Sequence, residues 1–376
     1  MFNMNITVKE VQTKKELLKW VRFPETLYKD NPYYVPFLEA DEMDTFTVGK
    51  NPAYDFCKSK QFLAYRGKEI VGRISAIINE AYNEKWGKNA IRFTRFDFID
   101  DYAVSKKLFD AVVEWGKENG LTTVNGPIGF TDMDHEGMLV EGYEEFNMSI
   151  TFYNHPYYLK HMERLGLRKD IDWIEYQISV PEKINPVFER ISRRLIEDKG
   201  FSVTTYTSRK VLRDDAFEAF KLVDLASSVL YGTVPLTDDI IANVIDGYIP
   251  LVNLDYICSV RKDGEIVAFG VMVPSIARAL KRSQGRLLPF GLVRMLKALR
   301  GKNDTLEMYF VAVDPKYQLQ GVPAILITTL LEKLIKNGVK FCETGPMLET
   351  NGAVHSLWAY FDKRQHKRRR CFIKEI

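Results

Sequence analysis

QFLAYRGKEIVGRISAI, residues 61–77, and DYICSVRKDGEIVAFGVMV, residues 255–273, follow one pattern. Each reads as a strand, a short polar turn holding a glycine, and a second strand. Both outgoing arms open on Glu-Ile-Val, at Glu69-Ile70-Val71 and at Glu265-Ile266-Val267. Alternating apolar residues around such a turn predict a β-hairpin. A second pair lies further along: LFDAVVEWGKENGLTTVNGP, residues 108–127, and LITTLLEKLIKNGVKFCETGP, residues 326–346. Each member predicts an amphipathic helix stopped at Asn-Gly (Asn119-Gly120, Asn337-Gly338), then a short apolar strand ending in Gly-Pro (Gly126-Pro127, Gly345-Pro346). Glycine suits the left-handed position that ends a helix. Helix–Gly–strand units are common in α/β proteins. Hairpin and helix–strand unit recurring in the same order point to an internal duplication.

Working outward, the first copy is predicted to begin with strand 6–11 and a helix around Lys14–Trp20. Strand 91–99 follows its hairpin, and helix 157–167 and strand 171–180 close it. A linker helix is predicted over Pro186–Lys199. The second copy begins with strand 201–207, helix 214–230 and a further helix from Thr237. Its hairpin is followed by an insertion at 275–303, strand 305–313, the helix–strand unit, and a last helix and basic strand. The expected division is 1–182, a linker at 183–200, and 201–376, an α/β chain of two fused mixed-sheet domains.

A chain of 376 residues that is 46% apolar and 27% charged has material for two cores. Its 53 basic and 50 acidic residues nearly cancel, which argues against bulk electrostatic binding to DNA. Cys57, Cys258, Cys342 and Cys371 form no CxxC pair and have no histidine at zinc spacing, so no metal is expected and the thiols read as reduced and buried. The N-terminal MFNMNITVKEV has no apolar core of a signal peptide, and no apolar run approaches a membrane span. The expected location is cytoplasmic.

The stretch VAVDPKYQLQGVPAILITTLLEKLIKNG, residues 311–338, resembles the acyl-CoA-binding segment of the GNAT superfamily, where a strand runs into a (Arg/Gln)-x-x-Gly-x-(Gly/Ala) turn that opens a helix. Gln318 and Gly321 match, and Pro323 stands where the second small residue is expected. Over essentially its whole length the chain resembles the poorly characterised tandem GNAT proteins of bacteria. It carries Gly126-Pro127 with Gly137-Met138-Leu139-Val140 in the first half. In the second half it has Leu348-Glu349-Thr350-Asn351 and the basic Lys367-Arg368-Arg369-Arg370. The resemblance implies two fused GNAT-like domains and acetyl-CoA or a longer acyl-CoA as co-substrate. It places Val311, Val313, Gln318, Gln320, Gly321, Val322, Ala324 and Asn351 around that cofactor. A helix N-terminus can hold the CoA pyrophosphate through free N–H groups and its partial positive charge, and Gly321 permits close approach. Pro323 suits the first helical turn but removes one donor. The equivalent region of the first copy, FDFIDDYAVSKK, lacks glycine and places Asp97, Asp100 and Asp101 where a pyrophosphate would sit, so CoA is expected in the second copy.

Acyl transfer to an amine requires a base for the amine proton, and the thiolate leaving group benefits from an acid. Many GNAT enzymes use a Glu on the central strand and a Tyr on the last helix. Here the candidates are Glu307, Glu343 and Tyr360, with Trp358 at the usual Tyr position. His135, between Asp134 and Glu136, lines either a polar acceptor pocket or a solvated loop. Tyr153, Tyr157 and Tyr158 read as packing residues. From Ile266 to Asn303 there is no acidic residue. A helix drawn through 286–300 puts Arg286, Arg294, Lys297 and Arg300 on one side and Leu288, Leu292, Met295, Leu296 and Leu299 on the other. Such a helix packs on the domain with a solvated basic face, or makes peripheral membrane contact, or caps a lipid-accepting cleft.

The resulting expectation is an acyl-CoA-dependent N-acyltransferase acting on a small-molecule amine, which the insertion allows to be lipid-like. A Fem-type aminoacyl transferase, also a tandem GNAT fold but using aminoacyl-tRNA, would suit the altered turn and the basic C-terminus. A degenerate, non-catalytic pair serving as a binding or scaffold protein is the third possibility.

Overall fold

The structure is a computed structural model that describes residues 5–250 and 252–376. Residues 1–4, which open the stretch expected to lack a signal peptide, and Leu251 lie outside the described residues. Two compact units form. The first consists of the chain through Ile174 together with Ala277–Gly291 and His366–Ile376, and the second of Glu175–Ile276 and Leu292–Gln365.

In chain order the elements up to the middle of the sequence are β1 (Ile6–Glu10), α1 (Lys14–Leu27), α2 (Glu39–Thr45), β2 (Cys57–Arg66), β3 (Glu69–Asn79), α3 (Glu80–Trp86), β4 (Ala90–Phe98), α4 (Tyr102–Glu118), β5 (Thr123–Gly126), β6 (Met138–Glu141), α5 (Tyr157–Arg164) and β7 (Arg168–Ser179). The rest are α6 (Pro186–Lys199), β8 (Phe201–Thr205), α7 (Arg209–Ser227), α8 (Asp238–Tyr248), β9 (Ile257–Lys262), β10 (Glu265–Pro274), α9 (Ala277–Ser283), α10 (Gly291–Arg300), β11 (Thr305–Val313), α11 (Pro323–Lys336), β12 (Phe341–Thr344), β13 (Met347–Leu348), α12 (Gly352–Leu357) and β14 (Lys363–Glu375).

Both units repeat one sheet pattern. In the first, β1, β2, β3 and β4 pair antiparallel in succession and β4 pairs parallel with β5. In the second, β8, β9, β10 and β11 do the same, and β11 pairs parallel with β12. The two hairpins read from the sequence are β2–β3 and β9–β10, at matching places in the two sheets. Each central strand also carries a bulge: the β3–β4 register shifts between Arg73 and Ser75, and the β10–β11 register between Val271 and Met272. A bulge kinks a strand and re-aims its side chains.

The compact units are not colinear with the halves of the sequence, because the closing strands are exchanged. β14, from the end of the chain, pairs antiparallel with β5 in the first unit, and the last residues of β7 pair antiparallel with β12 in the second. The basic composition of β14 is used for this docking. Arg370 Nε donates to Asp172 Oδ1 at 2.7 Å and Arg368 Nη1 to Asp172 Oδ2 at 3.1 Å. Arg369 donates to the Asn147 side chain and the Phe152 carbonyl, while Lys367, Arg369, Cys371 and Phe372 are buried.

Helices cover both sheet faces in each unit. α4 buries Val104, Leu108 and Val112, at four-residue spacing, against β1–β5. Leu17 and Trp20 of α1, with Phe46 just past α2, pack against Leu63 and Ile77 on the opposite face. In the second unit α11 buries Ile325, Leu326, Leu330 and Leu334 against β7 and β9–β12. Phe220 of α7 meets Phe310 of β11 on the other face, with ring centroids 5.1 Å apart.

Two sequence readings change. The helix read as a linker, α6, belongs to the second unit's core: Phe188, Ser192 and Leu195 are buried, and α6 faces the start of α11. The insertion is not one helix through 286–300 but two, α9 and α10, separated by 284–290. Pro289 lacks the N–H a continuous helix requires. Arg286 is therefore off the expected basic face, and its guanidinium instead pairs with Glu25 and lies 3.5 Å from Glu39.

Candidate active site

The second unit opens a cleft where its parallel strands part. β11 and β12 pair only from Thr305↔Phe341 to Met308↔Thr344; β12 then ends while β11 runs on to Val313. The cleft is floored by Gly270, Met272, Met308, Val311 and Val313, walled by Leu326, Ile327 and Leu330 of α11, and closed by Leu357, Trp358 and Phe361. It encloses about 720 Å³ of empty space, its open mouth included. Nearly every contributing group is hydrocarbon, so an alkyl chain suits it and a polar one does not.

Strand alternation places acid on the opposite side. Cys342 and Ile178 line the cleft beside Met308. Their sequence neighbours Glu343 and Gln177, with Glu307 and Val273, form one cross-strand row that points the other way. Glu307 and Glu343 are thus register partners on adjacent strands. Glu307 is only 1% exposed, and its Oε1 accepts from Ser275 Oγ at 2.6 Å. Gln177 Nε2 donates to Glu343 Oε1 at 3.5 Å, and Arg364 Nε holds Gln177 at 3.0 Å. Burial pushes the Cys342 thiol up to about 12, with the Glu343 charge adding to the effect. The cleft's cysteine is therefore held as a neutral thiol, a poor nucleophile.

The other predicted residues separate into groups. Val311 and Val313 line the cleft. The side chains of Val322 and Ala324 are buried in the core. Gln318 Nε2 donates to the Val313 carbonyl at 3.1 Å, and Gln320 Nε2 to the Lys316 carbonyl at 2.9 Å, so both stabilise the turn itself. Gly321 adopts φ +83°, and a Cβ there would meet Ile191 Cγ2 of α6 at 2.8 Å. Left-handed backbone and helix packing account for this glycine. No side chain caps α11, and the Ala324 and Ile325 amides donate to the Gly321 and Val322 carbonyls at 2.9 and 3.0 Å. With Pro323 carrying no N–H, this turn offers a reduced phosphate cradle. Asn351 accepts from the Val354 amide as the N-cap of α12. Tyr360 is 61% exposed and lies edge-on to Phe188, so it is not brought beside Glu307. Trp358 lines the cleft instead and donates through Nε1 to Met347 Sδ at 3.2 Å.

In the first unit the matching strand-to-helix turn is occupied by its own carboxylates. Asp101 caps α4 by accepting from the Ala103 amide at 2.8 Å and pairs with Arg66, while Asp100 lies 3.0 Å from His161. Asp97 pairs with buried Arg73 at 2.8 Å and accepts from Tyr28 Oη at 2.7 Å. Arg95, in left-handed backbone (φ +47°) at the β4 bulge, reaches Glu42 at 2.8 Å and Asp134 at 2.7 Å. Beside it, burial and the Arg95 charge push His135 down to about 4. Burial, with the Asp132 and Asp134 charges, pushes Glu136 up to about 8. His135 therefore belongs to a packed polar network, its ring 3.9 Å from Phe37, and not to a solvated loop.

Sequence reasoning missed Ser275 and the apolar lining, Met272, Met308, Leu326, Leu330 and Phe361. The available signal was Gly270, a glycine inside a buried strand, which marks a place where something approaches closely.

Comparison with known proteins bears on the fold. Residues 237–360 match the family described as "Acetyltransferase (GNAT) family". The chain is 27% identical to protein YghO of Escherichia coli (strain K12), covering 98% of this chain and 95% of that protein. It is 23% identical to the bacterial ceramide synthase of Caulobacter vibrioides, covering 100% of this chain and 98% of that protein. Among solved structures, the tandem GNAT protein from the clavulanic acid biosynthesis pathway aligns with TM-score 0.58 at 12% identity, over 99% of this chain and 98% of that one. A GCN5-related N-acetyltransferase from Sphaerobacter thermophilus aligns with TM-score 0.53 at 12% identity, over 98% and 95%.

Proposed function

From the premise that the chain is a tandem GNAT-fold protein whose second unit is of the acetyltransferase type, we propose that it transfers a long acyl group from acyl-CoA to a long-chain amine. The observation that carries this reading is the apolar cleft at the parting of β11 and β12. A long chain lying there contributes about 0.8 kcal/mol per buried methylene. Eight methylenes would thus contribute roughly 6 kcal/mol, enough to offset a weakened phosphate cradle. Likeness to a bacterial ceramide synthase supports the same chemistry, since a ceramide is an amide of a fatty acid with a long-chain amine.

In the proposed reaction, the thioester carbonyl rests at the end of the cleft near Met308, along the edge of β11 that β12 has left. The amine approaches from the face bearing Glu307 and Glu343. Its nitrogen attacks the carbonyl carbon, and Glu307, oriented by Ser275, accepts the proton. The C–N bond forms, the C–S bond breaks, and the departing thiolate takes up the proton that Glu307 received, so CoA leaves as the thiol and the carboxylate is restored. Transfer is direct on this reading, since burial keeps Cys342 a neutral thiol and a poor nucleophile. Glu343 and Tyr360 are the less favoured base and acid on the same reading.

The aminoacyl-tRNA alternative drew on the basic C-terminus. Arg368, Arg369 and Arg370 are engaged within the first unit, so that support is lost. The test of the favoured reading is incubation of the full chain with hexadecanoyl-CoA and sphinganine, with amide and free CoA measured together. Equal amounts of both are expected. CoA release without amide, or turnover of acetyl-CoA alone, contradicts the proposal.

A further inference from the structure

We infer that residues 288–293, Leu-Pro-Phe-Gly-Leu-Val, form a membrane-docking element that enters the headgroup boundary of an anionic bilayer. Leu288, Phe290, Leu292 and Val293 are 79%, 64%, 45% and 65% exposed. Among the described residues no other six-residue stretch exposes four large apolar side chains. Scattered exposed apolar residues are ordinary, whereas a contiguous group marks a surface that another apolar phase covers.

Helix packing does not account for them. α10 already buries one apolar face, through Met295 and Leu299. Leu292 and Val293 are left outside that face, and the turn ahead of the helix adds Leu288 and Phe290. Val293, Lys297 and Arg300, spaced by four and three residues, share one stripe of α10, and all three are exposed. The stripe is apolar at its N-terminal end and cationic toward its C-terminal end, where exposed Lys302 follows. That order fits an interface: hydrocarbon enters first, and the cations remain at the depth of lipid phosphates. The whole stretch from Ile266 to Asn303 contains no acidic residue to oppose an anionic surface.

The inference stands apart from the acyl-transfer reading, because it concerns binding without turnover. The full chain is sedimented with vesicles of phosphatidylcholine alone and of phosphatidylcholine mixed with phosphatidylglycerol, at low and high salt. It should pellet with the mixed vesicles, less so at high salt. Leu288→Ser with Phe290→Ser should lower partitioning at least tenfold with an unchanged melting temperature. Lys297→Glu with Arg300→Glu should abolish the preference for anionic vesicles. Wild type remaining in solution with mixed vesicles overturns the inference, as does partitioning unaffected by the serine pair. So does a self-associated species that the serine pair abolishes, since a second copy would then be what covers the segment.

Discussion

Replacing Gly270 with leucine should convert a long-chain transferase into a short-chain one. Gly270 lies on β10 in the cleft floor with ordinary strand backbone, so a side chain there brings no torsional strain and requires only a small shift of its neighbours. A Cβ would stand 3.3 Å from Leu330 Cδ1 and 3.9 and 4.0 Å from the two Leu326 methyls. Those neighbours are the ends of flexible side chains, and the remaining carbons of leucine would project into the cleft. They displace about four methylenes of a bound chain, which at about 0.8 kcal/mol each is a loss of roughly 3 kcal/mol. That corresponds to a fall of about a hundredfold or more in kcat/KM for hexadecanoyl-CoA. Acetyl-CoA, which does not reach that depth, should change by less than about threefold. Gly270→Ala should fall between. The assay is kcat/KM across acetyl-, octanoyl- and hexadecanoyl-CoA, with the melting temperature measured alongside. An equal loss at every chain length, or no loss with hexadecanoyl-CoA in a fully folded variant, would refute the placement of the acyl chain.

Glu307→Gln should lower kcat about a hundredfold or more with little change in KM for acyl-CoA, and Ser275→Ala, which only releases that carboxylate, should lower it less; steady-state kinetics at saturating amine separate the two. Glu136 holds its proton in the folded chain across the window from its ordinary 4.5 to about 8, so folding stability contributed there falls as pH rises through that range. Glu136→Gln cannot ionise, and its melting temperature should exceed that of wild type by a margin that grows from about pH 5 to about pH 9. Neutral His135 acts in the opposite sense, with stability lost as pH falls from 6.5 toward about 4, and His135→Gln should flatten the acid limb of the same curve. Asp172→Ala removes a buried carboxylate and leaves the partly exposed Arg368 and Arg370 without their shared partner, which should cost about 2 kcal/mol in urea unfolding, whereas an unchanged midpoint would show that β14 docks without that carboxylate.

Hairpin and helix–strand periodicity were enough to find both copies, because the apolar spacing of 63–77 and 257–273 is set by which side chains each sheet buries. The pairing partners of the last strands were not legible: β7 and β14 are each a plausible continuation of their own half, and nothing local encodes the exchange. Glu307 and Glu343 were legible as acids on central strands. Their shared row was not, since it depends on the β11–β12 register. The turn at Gly321 was read through its ligand, yet its glycine answers first to Ile191 on a helix more than a hundred residues earlier. The insertion misled for a simpler reason. Its charges and leucines fit one helical wheel, yet Arg286 and Leu288 lie in the connection ahead of Pro289 and only the others lie on α10.

Long-chain transfer requires the acyl chain to lie in the apolar cleft, and a crystal structure of the full chain with a non-reactive S-alkyl CoA carrying a long alkyl group tests that directly. Density for the chain is expected between α11 and β11, in contact with Met272, Leu326 and Leu330, with its sulfur end toward Met308. An alkyl chain bound instead in the first unit, in the cavity that Tyr28, Tyr34, Arg73, Asp97 and Phe152 line, or a cleft left empty at saturating ligand, would contradict it.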